Sequence, residues 1–374
     1  MPDRSVARIV IAPDGFKGTA TAADAAEALA AGWRERRPGD EIVLRPMADG
    51  GEGTVAAFAA AVPGSTRMPV QVTGPDGAVV EASWLLLPPS GGAPGGTGVV
   101  ELASTSGIEL LGDRRLPWDA HTRGFGATIA AALDHGVDAL VLGIGSSAST
   151  DGGAGMLAEL GAVIAGASGA PVADGARGLA DIREVRLEGL RPVPRGGVTV
   201  LTDVRNPLVG ATGAAAVYGP QKGLGPDEIA EVDAALAAYA GLLPADPETP
   251  GAGAAGGVGF ALLAWGARLV PGADAVADLV GLVGALADAD AVITGEGSFD
   301  AQTASGKVPS LVATAAHAAG ARAILVAGRI AGGADASGFV RAVSLAELAG
   351  SPEAAMGDPL RWLREAGRSL AADS

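Results

Sequence analysis

The chain contains no cysteine, which excludes disulfides, thiolate nucleophiles and cysteine-ligated metals. Histidine is nearly absent as well. His121, His135 and His317 share no metal-type spacing and read as structural or surface residues. Aromatics make up 3% of the chain, and only three of its 26 basic residues are lysines, Lys17, Lys222 and Lys307. No apolar run is long enough to span a bilayer. The start, Met1 to Val6, lacks the basic segment and cleavage site of a secretory signal. Both absences lead us to expect a cytoplasmic protein. Positive charge is in the minority: the formal net charge of −16 argues against a nucleic-acid or anionic-membrane partner.

What is there is a long apolar chain of 374 residues with 59 glycines that follow no three-residue period. This length favours two domains, and the composition excludes collagen-like and disordered classes. Residues 7–12 read as a strand that empties into a turn. Thr21 is placed to cap a helix with Asp24 in its first turn. A second strand begins at Glu41 and a second helix at Val55. That alternation is the grammar of a doubly wound sheet. It then breaks: residues 68–73 and 78–86 flank Gly74-Pro75-Asp76-Gly77, a β-hairpin signal. Strands near residues 8, 42, 140, 292 and 324 suit a flavodoxin-like doubly wound parallel sheet built from residues 1–64 and 285–374. Residues 65–284 form a large inserted α/β domain, with 120–165 assignable to either. The last strand is expected at 322–328, followed by a helical tail. We expect the active site in the cleft between the two domains.

In open α/β sheets, ligands bind outside the carboxyl ends of the strands. Several apolar strands here end in Gly-rich acidic turns, at Asp14, at Asp49 with Glu52, at Asp151 and at Glu296 with Asp300. Another ends at Asp203. Each lysine also stands beside a glycine, where a point charge and a bare backbone can approach an anion. Carboxylates for Mg²⁺, lysines for phosphate charge and glycine amides for oxygens together suit phosphoryl transfer. No Walker A motif is present, since Gly306-Lys307 is followed by Val308. Gly251-Ala-Gly253-Ala-Ala-Gly256 has the spacing of a dinucleotide fingerprint but follows no strand. Gly143-Ile-Gly145-Ser-Ser-Ala148 follows a strand but lacks a placed acid on the next one.

These residues resemble the motifs of the bacterial glycerate kinase family, of the type that makes 2-phosphoglycerate, over nearly the full length. Residues 12–18, Ala-Pro-Asp-Gly-Phe-Lys-Gly, are similar to A-P-D-S-F-K-G, and residues 46–54 match P-M-A-D-G-G-E-G-T without change. Residues 145–155 are similar to G-G-S-A-T-N-D-G-G-A-G, 203–208 to D-V-T-N-P-L and 218–223 to F-G-P-Q-K-G. Residues 293–307 are similar to I-T-G-E-G-R-x-D-x-Q-T-x-x-G-K. The resemblance implies ATP- and Mg²⁺-dependent phosphorylation of D-glycerate at its 2-hydroxyl. A related hydroxy acid as substrate, a non-catalytic sensor on the same fold and a nicotinamide-dependent dehydrogenase stay open as alternatives. A homodimer is compatible with the sequence.

Roles are expectations on that basis. Lys17, Lys222 and Lys307 contact phosphate or the glycerate carboxylate. Asp49, Glu52, Asp203, Glu296 and Asp300 hold Mg²⁺ or accept the hydroxyl proton. Gly51, Gly152, Gly256 and Gly295 admit the nucleotide to the backbone, with Asp151 and Gln302 beside it. Asp14, Asn206 and Arg205 face glycerate. Asp14, Asp151 and Asn206 also suit turn or cap roles. The chain departs from the family pattern at Gly15 (for Ser), Ser146 (for Gly), Thr150 (for Asn), Arg205 (for Thr) and Ser298 (for Arg). Ala127 stands where an acid is expected.

Overall fold

The computed structural model describes residues 6–16, 18–300 and 308–372. The strands are β1 (Arg8–Ile11), β2 (Glu41–Leu44), β3 (Thr66–Thr73), β4 (Val79–Leu87), β5 (Thr97–Glu101), β6 (Ala139–Gly143), β7 (Val163–Ala165), β8 (Glu184–Arg186), β9 (Val198–Leu201), β10 (Arg268–Val270), β11 (Ala291–Phe299), β12 (Arg322–Ile330) and β13 (Arg341–Ser344). The fold is mixed α/β with parallel sheets. The chain divides into two compact units, one from Met1–Asp49, Ala56–Pro63 and Ala273–Ser374, the other from Gly50–Val55 and Gly64–Gly272. Among the described residues no helix is long and apolar enough to cross a membrane.

The first unit holds a five-stranded sheet in the order β13-β12-β11-β1-β2, every neighbour parallel. Parallel strands covered on both faces need nearly continuous apolar runs. Ile9, Val10 and Ile11 of β1 and Ala291, Val292 and Ile293 of β11 are all buried. The first helix, Ala22–Arg36, starts where Thr21 accepts a hydrogen bond from the Asp24 amide at 3.1 Å, the cap read from the sequence. Its Leu29 and Trp33 pack in one cluster with Ile293, Val326 and Leu363.

Two expectations are corrected here. The strand near residue 140 belongs to the other unit's sheet, and the fifth place in this sheet is taken by β13. β13 is only four residues with a half-buried pattern, too short to stand out in a tail otherwise helical. The glycines at 295 and 297 do not end their strand either. β11 runs on to Phe299 beside β12. Glycine is needed at 295 because the strands lie so close there that a Cβ would stand 1.8 Å from the Val326 carbonyl oxygen.

The second unit holds a six-stranded sheet in the order β10-β9-β6-β5-β4-β3. β10, β9, β6 and β5 run parallel, and β4 and β3 turn antiparallel. β3 and β4 are the expected hairpin, closed where the Gly74 amide donates to the Ala78 carbonyl at 2.7 Å. β3 is the edge strand, which is why it tolerates Pro69. Trp84, Phe125, Leu142, Tyr239 and Phe260 belong to this unit's core.

Candidate active site

In the first unit, crossovers leave β1 and β11 in opposite directions along the sheet, β1 toward β2 and β11 toward β12. Such a switch point is where α/β sheets take ligands. A cavity of about 360 Å³ lies there, lined by residues that follow or end β1, β11, β12 and β13. Asp14, Glu296 and Asp300 line it, with Thr19, Ser298 and Arg329. Phe16, Leu345, Pro352, Ala355 and Met356 form its apolar side. The exit of β1 is tied to β11: the Thr294 hydroxyl donates to the Ala12 carbonyl at 2.8 Å, and the Asp14 amide to the Gly295 carbonyl at 2.8 Å. Asp14 also accepts from the Gly15 amide at 2.7 Å. Glu296 is 7% exposed, so β11 carries a buried carboxylate to the cavity from within a strand. Ser298 accepts a 2.9 Å hydrogen bond from Nε of Arg329, its register partner on β12.

In the second unit, the loop leaving β6 closes on itself. Lys222 ends the helix Ala214–Lys222 and is 2% exposed. Its ammonium donates to the Ser147 hydroxyl at 2.8 Å and the Ser149 carbonyl at 2.5 Å. Burial lowers its pKa to about 7, against the opposing pull of Asp151. Gly256 lies over it with φ +69°, and a Cβ there would stand 2.1 Å from the Ser149 oxygen and 3.0 Å from the lysine nitrogen. Asp151 is fully buried and accepts from the Thr122 amide and hydroxyl at 2.9 and 2.7 Å and from the amides of Gly153 and Gly155 at 3.1 and 3.3 Å. The Thr122 hydroxyl in turn accepts from the Met156 amide at 2.9 Å, so the pair caps the helix Ala154–Glu159. Gly152 sits against the Tyr239 ring, whose phenol is pushed up by burial and by Asp151.

The loop leaving β9 carries Asp203, Arg205 and Asn206. Asp203 accepts from the Gly272 amide at 2.8 Å, which ties the ends of β9 and β10. Asn206 donates to the Thr212 carbonyl at 2.7 Å and accepts from the Tyr218 hydroxyl at 2.8 Å, a bracing role for the loop. Arg205 is exposed. Gly51 packs against Gly145, and Glu52 is exposed. Asp49 is half-buried. Lys17, Gln302 and Lys307 lie outside the described residues. Thus Asp14, Glu296 and Asp300 share one cavity, while Asp151, Lys222, Gly152 and Gly256 share a packed network. Among the described residues no three His, Asp or Glu side chains are placed to hold a metal by themselves.

Two residues escaped the sequence reading. Glu101 ends β5 almost buried and accepts from the Val55 amide at 2.9 Å; burial raises its pKa. Arg329 follows a glycine at a strand end, a weak signal until the strands are paired.

Residues 9–373 match the family model described as the Glycerate kinase family. The chain belongs to the glycerate kinase family. A protein named glycerate kinase from Halalkalibacterium halodurans is 40% identical over 374 residues, 97% of either chain. One named glycerate 2-kinase from Escherichia coli K12 is 42% identical over 317 residues, 83% of this chain and 82% of its own. A crystal structure from Salmonella typhimurium LT2, described under the name glycerate kinase 2, superposes with a TM-score of 0.83 at 38% identity, covering 99% of this chain and 98% of that one.

Within this glycerate kinase family chain, the departures noted from sequence fall at telling places. Ser146 has φ +60°, a left-handed conformation that the family's glycine adopts without strain. Gly15 lines the cavity of the first unit. Ser298 lines the same cavity and touches an arginine instead of being one.

Proposed function

We propose that this chain transfers the γ-phosphoryl group of ATP to the 2-hydroxyl of D-glycerate, giving 2-phosphoglycerate. The observation that carries this reading is the set Asp14, Glu296 and Asp300 around one cavity at the carboxyl ends of parallel strands, in a chain of the glycerate kinase family. Transfer forms a bond from the 2-oxygen to the γ-phosphorus and breaks the bond to the bridging oxygen of ADP. The proton of the hydroxyl leaves to a carboxylate. Hard oxygen donors suit Mg²⁺, which takes one or two carboxylates and completes its shell with phosphate and water. The cavity's donor set fits that demand without a preformed cage. Mg²⁺ when bound would neutralise charge on the phosphates. Glu296 and Asp300 would hold it, and Asp49 and Glu52 belong to the same proposed set. Lys17 and Lys307 would meet phosphate or the substrate carboxylate. Lys222, as placed, holds the 147–149 loop, so its part in catalysis is support of that loop.

The strand order of the first sheet, counted along its own five strands, is 2-1-3-4-5, which supports the flavodoxin-like description. That description, the division into residues 1–64 with 285–374 and 65–284, a cytoplasmic location and a homodimer all belong to this proposal. The net charge of −16 favours a small-molecule partner over nucleic acid.

The test is direct. Purified protein with ATP, Mg²⁺ and D-glycerate yields 2-phosphoglycerate, read by coupling to enolase. Product that enolase accepts only after a mutase is added would move the phosphoryl group to the 3-hydroxyl and overturn the regiochemistry. Turnover of another hydroxy acid but not glycerate would overturn the substrate. ATP binding with no turnover of any acid would favour the sensor.

A further inference from the structure

We infer that Arg329 supplies a cation that binds a substrate oxyanion in the cavity of the first unit, in addition to the lysines proposed above, and that Ser298 holds it in position. The nature of the oxyanion, a phosphate of ATP or the carboxylate of glycerate, rests on the kinase reading above. The described lining of the cavity offers three carboxylates, Asp14, Glu296 and Asp300, and one cation, Arg329. A guanidinium on the wall of such a cavity can offer an entering oxyanion a charged, two-pronged partner. Among the described residues the Arg329 guanidinium is bonded to Ser298 and to no carboxylate. The bond at 2.9 Å uses Nε and leaves both terminal nitrogens for a bidentate contact with an oxyanion.

The position has a second source of support. In the motif that residues 293–307 resemble, an arginine stands at the place of Ser298. Here Ser298 and Arg329 are register partners on β11 and β12. Adjacent strands lie about 4.8 Å apart, and an arginine stem exceeds that reach. Ser298 and Arg329 both line the cavity, so a guanidinium at either position stands on the same wall. The hydroxyl left at 298 fixes the donor's orientation. Both residues sit on strands, so the geometry comes from the sheet ladder and not from a loop. Arg329 touches the ligand in this account, and Ser298 is a positioning residue.

Steady-state kinetics of R329A, R329K, S298A, S298T and the exchanged double variant S298R/R329S test this, with ATP and D-glycerate varied separately. R329A is expected to raise KM for one of the two substrates about tenfold or more, as loss of a hydrogen-bonded charge does. The substrate whose KM moves identifies the oxyanion. R329K recovers part of the loss because a point charge replaces a fork. S298A moves the same KM by a smaller factor, and S298T restores it. S298R/R329S returns KM to within about threefold of wild type, since a single hydrogen bond of the pair is rearranged. Unchanged KM for both substrates in R329A would overturn the inference, as would an S298A effect on the other substrate. If the wild type does not turn over glycerate, the kinase reading fails on its own. Calorimetry of MgATP and of D-glycerate binding to wild type and R329A then decides. Weaker binding of either anion by R329A supports Arg329, and equal binding, or none to the wild type, removes it.

Discussion

Two stretches of this chain use the same vocabulary to opposite ends. Residues 145–155, which follow the apolar strand β6, and residues 293–300, which continue the apolar start of β11, are both rich in glycine and carry small hydroxyls and acid. In the first, Asp151 turns inward and satisfies four donors, and Lys222 is sealed beneath Gly256. In the second, the strand continues and delivers Glu296, Ser298 and Asp300 to a cavity. The difference lies in what occupies the space beyond the strand. In one, helices and their backbone amides fill it; in the other, a side wall of Phe16, Leu345 and Met356 leaves about 360 Å³ open. A carboxylate surrounded by amide donors stabilises its own loop, whereas one facing a cavity can serve a ligand.

Neutralising one acid of each kind has the largest expected effect. Glu296→Gln is expected to lower kcat about a hundredfold or more with a melting temperature near wild type, as removal of a carboxylate engaged in the transition state does. Asp151→Ala should instead cost about 3 kcal/mol of stability by orphaning buried donors, visible in urea unfolding. Equal activity losses at full stability would erase the distinction.

Next comes Lys222. Its folded pKa of about 7 is below the ordinary 10.5, so the unfolded chain binds more protons between those values. Stability from this group is therefore present above about pH 10.5, and is lost as pH falls through about 7. Comparing urea midpoints across that window, wild type should gain more on raising pH than Lys222→Met does. A variant with the same pH slope would show that the ammonium is not sealed as described.

The smallest effect is at Ser146. Ser146→Gly should raise stability by about 0.5–1 kcal/mol, because it removes a side chain from a left-handed backbone position. A loss of stability would mean that the Ser146 side chain makes a contact worth more than the strain.

Much of this was legible in one dimension. The Thr21 cap, the hairpin around Gly74 to Gly77 and the buried runs of β1 and β11 follow from local stereochemistry and periodicity, which neighbouring residues settle among themselves. Motif order was enough to indicate the family, because residue identity at fixed spacing survives without coordinates. Other features had no local signature. Ala139 to Gly143 reads equally well in either sheet until its partners β5 and β9 are known. Gly295 looks like a turn until the Val326 carbonyl is found against it. Asp151 and Glu296 look alike until one meets amides and the other a cavity. Ser298 looks like a loss until β12 brings Arg329 across from it. By itself the sequence determined the elements, their caps and the kinship of the chain, since these depend on residues close together along it. Only the tertiary structure decided strand order, which acids face inward and which residue lies across from Ser298, since those depend on pairing between residues tens to hundreds of positions apart.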